Sequence, residues 1–237
     1  MHYLNILLFL LIGGALGFYA TSLGTRLAPL YEDGEELKHK QSFIQIWSPF
    51  QRPASNPQYK GLHVALTLSG GLLAAISYQY FGYSIELLIA LSLSIMLLAI
   101  FTTDILVMII PNRVLIAFLP IIIILRLFSP LDPWWDMFVG GVVGYLLIML
   151  IIIISKGGMG GGDMKLFGVL GIVFGLKQIL LVFFLACLIG AVVGILMQIM
   201  GRTKRGQAIP FGPYIVLAAF LVYFLGEPML DFYGSFF

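Results

Sequence analysis

The chain of 237 residues is 60% hydrophobic and 10% charged, with a mean hydropathy of +1.04. That balance excludes a soluble globular domain, whose surface needs far more polar area. A formal net charge of +2, with thirteen Lys and Arg residues in no stripe or long basic tail, leaves no footprint for nucleic acid.

Apolar segments near 4–25, 62–80, 84–103, 112–128, 136–155, 164–176, 178–200 and 210–226 predict an all-α fold. The reading is a polytopic integral membrane protein of about eight transmembrane helices, a single domain over residues 1–237. The first apolar run lacks a basic stretch before it, so it reads as a retained span and not a secretory signal. The run from Lys165 to Lys177 is short for a straight crossing, which implies tilt, shielding by neighbours or partial insertion.

Residues 26–60 form the one substantial soluble segment. Phe43, Ile44, Ile46 and Trp47 suit a short interfacial helix there, and the proline-rich PFQRPASNPQYK after it should be irregular. The pairs Gly13/Gly17 and Gly140/Gly144 permit close helix packing, and no internal repeat is evident.

With the N-terminus outside, eleven of the basic residues fall on the cytoplasmic side. These are Arg26, Lys38, Lys40, Arg52, Lys60, Arg113, Lys156, Lys165, Arg202, Lys204 and Arg205, against Arg126 and Lys177 outside. That bias fixes the expected orientation, with the C-terminus also outside.

Asp104, in FTTDILVMIIPN, and Asp163, in GGMGGGDMKLFG, stand where long apolar runs meet short loops. A carboxylate beside hydrocarbon is costly and needs a partner, a water-filled cavity or a task. Two carboxylates sharing one proton suit hydrolysis, one activating water while the other supplies a proton. Such a pair titrates as a unit, so sequence does not assign base and acid. The two lie 59 positions apart, and only tertiary packing brings such residues together.

Gly157, Gly158, Gly160, Gly161 and Gly162 precede Asp163; they permit close backbone approach by an extended peptide, or equally a merely flexible turn. KGGMGGGDMK has no GxxxxGK[ST] pattern, which speaks against a phosphate loop. Lys165 suits a positive-inside helix end better than a substrate carboxylate. Pro111 and Asn112 break the apolar run after Asp104, leaving backbone groups near a substrate; Pro210, Gly212 and Pro213 shape a tight entry to the last span.

An aspartate followed by an apolar stretch and IPN, then GGGD followed by MKLF, then IPFGP before the last helix, resembles the bacterial type IV prepilin peptidases. The likeness covers almost the whole chain and is nearest to the competence-type leader peptidases of Gram-positive bacteria.

It implies a membrane aspartyl endopeptidase that cuts the basic leader from prepilins or pseudopilins at the cytoplasmic side of the bacterial cytoplasmic membrane. Asp104 and Asp163 become the catalytic pair, and Gly160, Gly161 and Gly162 the loop that holds Asp163. Pro111, Asn112, Lys165, Pro210 and Gly212 become substrate-proximal candidates. The peptidase reaction itself takes no metal or cofactor.

Many members also methylate the new N-terminus with S-adenosylmethionine and carry two CxxC pairs, consistent with zinc, in the first cytoplasmic loop. This chain has one cysteine, Cys187, a shortened 26–60 loop, and His63 where an acidic residue is expected. No zinc is therefore expected, and S-adenosylmethionine only if methylation is retained. The competing readings are a bifunctional peptidase and methyltransferase, and a small ion-coupled transporter using the acids to bind a cation or proton.

Overall fold

The computed structural model describes residues 2–28, 60–156, 158–201 and 209–235. The expected interfacial helix at 43–47 and the Arg205 stretch lie outside the described residues. Among the described residues seven helices follow in order: α1 His2–Leu27, α2 Lys60–Phe81, α3 Ile85–Val107, α4 Asn112–Phe128, α5 Asp136–Ile154, α6 Gly161–Ile199 and α7 Gly212–Gly234. Among the described residues there is no strand.

Large apolar side chains cover the outward faces: Ile153 and Ile154 are 65% and 72% exposed at the end of α5, and Phe184 is 60% exposed on α6. Water would not tolerate such faces, and lipid does. Among the described residues six helices are long and apolar enough to cross a membrane, all but α4, which has 17 residues. The class is therefore a multi-pass all-α membrane protein, and the expected count of eight spans is not confirmed by these six.

The 39-residue α6 is not one straight rod. Gly175 breaks it with φ 73° and ψ −178°, a left-handed φ that glycine adopts at no steric cost. Sixteen positions along a straight helix span about 24 Å, yet the rings of Phe167 and Phe183 lie 6.0 Å apart. The chain therefore doubles back at Gly175 into two limbs, 161–174 and 176–199, close to the break that the apolar segments 164–176 and 178–200 imply.

The chain divides into two compact units, Met1–Ser129 and Pro130–Phe237. In the first, α1 packs on α2 and α3, α2 on α3, and α3 on α4. Its closest crossing is glycine against glycine. A Cβ added at Gly17 would lie 2.7 Å from the Leu66 carbonyl oxygen, and one at Gly70 would lie 2.7 Å from Gly13 O. The far end is tied by an ion pair. Arg126 Nη1 lies 2.6 Å from Glu86 Oε1, which also accepts a 2.7 Å hydrogen bond from Ser129 Oγ.

In the second unit, α6 packs on α5 and α7. The α5–α6 crossing is again lined by glycines: a Cβ on Gly144 would lie 2.6 Å from the Phe167 carbonyl oxygen, and Gly140 faces Gly171 backbone to backbone. Both glycine pairs read from the sequence thus serve as close-packing surfaces.

Candidate active site

Asp104 lies in the last turn of α3 and is 5% exposed. The Met108 N–H donates to the Asp104 carbonyl at 2.9 Å and closes the helix, with Met108 itself left-handed at φ 54° and ψ 38°. A non-glycine residue in that conformation carries strain.

The helix before Asp104 is held by packing. Thr102 and Thr103 are fully buried and donate back to carbonyls of their own helix, Thr102 to Leu98 at 2.8 Å and Thr103 to Ile100 at 3.0 Å. α1 meets Thr102 through Gly24, where an added Cβ would lie 2.6 Å from the Thr102 Cβ. Pro111 is the N-cap of α4, extended at φ −68° and ψ 122° as its ring requires, and is buried. Asn112, the first residue of α4, is exposed.

Asp163 lies in the first turn of α6 and is 7% exposed. Its Oδ2 accepts the Gly160 N–H at 3.1 Å, and its own N–H donates to the Gly160 carbonyl at 3.1 Å. This reciprocal pair caps the helix, the carboxylate satisfying an N–H that would otherwise lack a partner. The positive end of the helix dipole lies there too, a setting that favours negative charge.

The glycine run makes a shorter loop than its length implies. Gly160 is the N-cap at φ −77° and ψ 144°, while Gly161 and Gly162 already belong to the helix. None of the three has a positive φ. Their value is therefore space: a Cβ on Gly161 would meet nothing within 4 Å, and one on Gly160 would lie 3.2 Å from Asp163 Oδ2.

Lys165 is exposed in the same turn. Pro210 is half-buried just before α7, and Gly212 is buried as its first residue. Asp104, Pro111 and Asn112 thus belong to the first unit, and Gly160, Gly161, Gly162, Asp163, Lys165, Pro210 and Gly212 to the second. Met108 and Gly24 were not read from the sequence as supports of Asp104. Nothing in DILVMIIP marks a left-handed methionine, and Gly24 differs from other membrane glycines only by what it meets.

Among the described residues no three His, Cys, Asp or Glu side chains are gathered in a way that would hold a metal ion. His63 lies near the start of α2, both ring nitrogens buried without a hydrogen-bond partner, about 6.3 Å from the ring of Phe18.

The helices define the class as a polytopic all-α membrane protein, with one buried aspartate ending a helix and another starting one. The type IV leader peptidase family matches residues 91–195, a stretch that contains both aspartates. The prepilin leader peptidase/N-methyltransferase of Bacillus subtilis (strain 168) is 40% identical over 172 residues, 73% of this chain and 69% of that protein. Proteins of the same name from Stutzerimonas stutzeri and Pseudomonas putida are each 31% identical. The first match covers 71% of this chain and 60% of the relative, and the second 66% and 56%. No solved structure matches the chain. The chain belongs to the type IV prepilin leader peptidase family, and with that membership it is a membrane peptidase.

Proposed function

We propose that this protein is an aspartyl endopeptidase that removes the basic leader from type IV prepilins or pseudopilins at the cytoplasmic face of the cytoplasmic membrane. The observation that carries this reading is the pair of buried carboxylates in motifs matching the family, Asp104 before IPN and Asp163 after GGG. The apolar helix of the substrate enters from the lipid, and its glycine-containing cleavage region unwinds beside the Gly160–Asp163 turn. One carboxylate takes a proton from water as the water oxygen attacks the scissile carbonyl carbon. The carboxyl that holds the shared proton then gives it to the departing amine nitrogen as the carbon–nitrogen bond breaks.

The cytoplasmic placement rests on the eleven-to-two distribution of Lys and Arg. The relatives are named as N-methyltransferases too, which favours a second, bifunctional reading. Against it stand the absent CxxC pairs, the short 26–60 loop and His63 at the position of an expected acid. The proposal is therefore leader cleavage without methylation. A transporter reading draws support only from the intramembrane acids, which the peptidase chemistry already uses.

The test is purified protein in lipid with a prepilin, the product weighed by mass spectrometry with and without S-adenosylmethionine. Cleavage should be independent of the cofactor, and the product should gain no methyl group. Asp104→Asn and Asp163→Asn should each insert normally and lose cleavage by about 10²-fold or more. Near-normal cleavage by either folded variant removes that residue from the catalytic role, and efficient single methylation ends the peptidase-only reading. The side is checked by Gly161→Cys in a Cys187→Ala background. A membrane-impermeant thiol reagent should label it only after cells are opened, and labelling of intact cells would reverse the orientation.

A further inference from the structure

The first limb of α6 has its catalytic candidate at one end and the reversal at Gly175 at the other. At the reversal, the Leu176 N–H opens the second limb with no carbonyl of its own helix to receive it, because Gly175 is not helical. Asp136 Oδ2, from the first residue of α5, accepts that N–H at 3.1 Å. Asp136 is fixed in turn, its own N–H donating to the Pro133 carbonyl at 2.9 Å. The fit is close, since a Cβ added at Gly175 would lie 2.9 Å from the Asp136 Cγ.

Along the rest of this crossing the first limb meets α5 largely through glycines, Gly140 against Gly171 and Gly144 against the Phe167 carbonyl. Backbone on backbone gives close approach but few interlocking ridges to set how far one helix slides along the other. The Asp136–Leu176 hydrogen bond pins the backbone one residue past Gly175, and through that residue it fixes the reversal end of the first limb. Leu176 opens the second limb, while Asp163 stands at the start of the first limb, twelve residues before Gly175 and about 18 Å from it along a stiff helix. A sliding of the limb by one ångström therefore moves Asp163 by the same amount.

We propose that Asp136 is a positioning residue for the peptidase reaction, acting through the Leu176 N–H to set the register of the limb that carries Asp163. This rests on Asp163 being catalytic. A misplacement near one ångström costs the chemical step on the order of tenfold to a hundredfold. Substrate binding, spread over leader and apolar helix, is affected far less. A purely structural role would instead lower stability and leave kcat of the folded fraction unchanged.

The experiment compares kcat and KM for a prepilin in lipid across four variants, each first checked for helicity and a single gel-filtration peak. Asp136→Asn keeps an acceptor oxygen without the charge and should stay within about threefold of the parent. Asp136→Ala should lose roughly tenfold to a hundredfold in kcat with KM within about twofold. Leu176→Pro removes the donor instead. The extended ψ at Gly175 suits a following proline, and a helix tolerates proline in its first turn. It should match Asp136→Ala, while Leu176→Ala, which keeps the N–H, should not.

Adding Asp136→Ala to Leu176→Pro should cost nothing further, since both remove the same bond. Equal losses in Asp136→Asn and Asp136→Ala would overturn the proposal in favour of the charge, and unchanged kcat in Asp136→Ala would overturn it outright. If Asp136→Ala does not fold, Leu176→Pro against Leu176→Ala decides alone, and equal activity of those two overturns it. Asp163→Asn is assayed alongside. If it cleaves normally, the catalytic reading fails; if it is inactive while Asp136→Ala keeps its kcat, only the positioning role fails.

Discussion

Among the described residues each unit carries one buried aspartate, and the two are supported in opposite ways. Asp163 starts a helix: its neighbours in sequence hold it, Gly160 through a reciprocal pair of 3.1 Å hydrogen bonds. Asp104 ends one, where unsatisfied carbonyls make the helix terminus electronegative and a carboxylate gains nothing from the dipole. Its helix is held from outside, by Gly24 of α1 set against Thr102, and is closed by a strained Met108. One carboxylate is thus placed by local backbone chemistry and the other by tertiary packing. A substitution that disturbs the first should act within a turn of it, while one that disturbs the second can come from a different helix.

The largest effect that sharpens this contrast should come from Gly24→Ala. Its Cβ would lie 2.6 Å from the Thr102 Cβ and 2.9 Å from the Ala99 carbonyl oxygen, both on α3. Neither neighbour is the free end of a flexible chain, so the helices must part. Overpacking of this kind costs about 1–3 kcal/mol. Unfolding in mixed micelles should show that loss, with cleavage falling alongside it. An unchanged unfolding midpoint would mean that α1 does not hold the Asp104 helix.

A middle-sized effect separates Gly160 from Gly161, and it tests whether the support of Asp163 is local. Gly160→Ala would bring a methyl group to 3.2 Å from Asp163 Oδ2. Cleavage should drop about tenfold, while the poorer N-cap costs only roughly 0.5–1 kcal/mol. Gly161→Ala meets nothing within 4 Å and stands in the helix, so it should stabilise by about 0.5–1 kcal/mol. If Gly161→Ala nonetheless abolishes cleavage, that glycine keeps room for a substrate backbone. If both variants cleave normally, the turn does not govern Asp163.

Much of this was legible in the sequence, for reasons that differ by residue. The apolar segments forecast the helices because lipid demands satisfied backbone groups, and only long apolar helices supply them here. The spacing of Gly13/Gly17 and Gly140/Gly144 permitted close crossings without requiring them, since membrane helices are rich in glycine, and both pairs lie at such crossings. Their partners, Gly70 and Gly171, were not forecast, since spacing within one helix says nothing of the helix opposite.

The Asp163 turn was half legible: the motif marked the residue, but the glycines look like a loop and two of them are helix. Asp136 gave no signal at all. At the start of an apolar segment it reads as an ordinary acid at a helix start, and its partner is a main-chain N–H forty residues on, which no side-chain pattern reveals.

The smallest effect is expected at Met108, and it asks whether the external support of Asp104 extends past the end of the helix. The left-handed conformation costs a side-chain-bearing residue about 1–2 kcal/mol relative to glycine. Met108→Gly removes that cost and adds about 0.5–1 kcal/mol of unfolded-chain freedom, leaving a net gain on the order of 0.5 kcal/mol. The side chain is 53% exposed, so little packing is lost with it. The helix-closing bond from the residue 108 N–H to the Asp104 carbonyl does not depend on the side chain and should persist. Cleavage should therefore stay within about twofold of the parent, because Thr102 and Gly24 already fix the helix on its inner side. A stability gain accompanied by a tenfold fall in cleavage would show the reverse: the stiffness of a strained methionine, and not packing from α1, sets where Asp104 points.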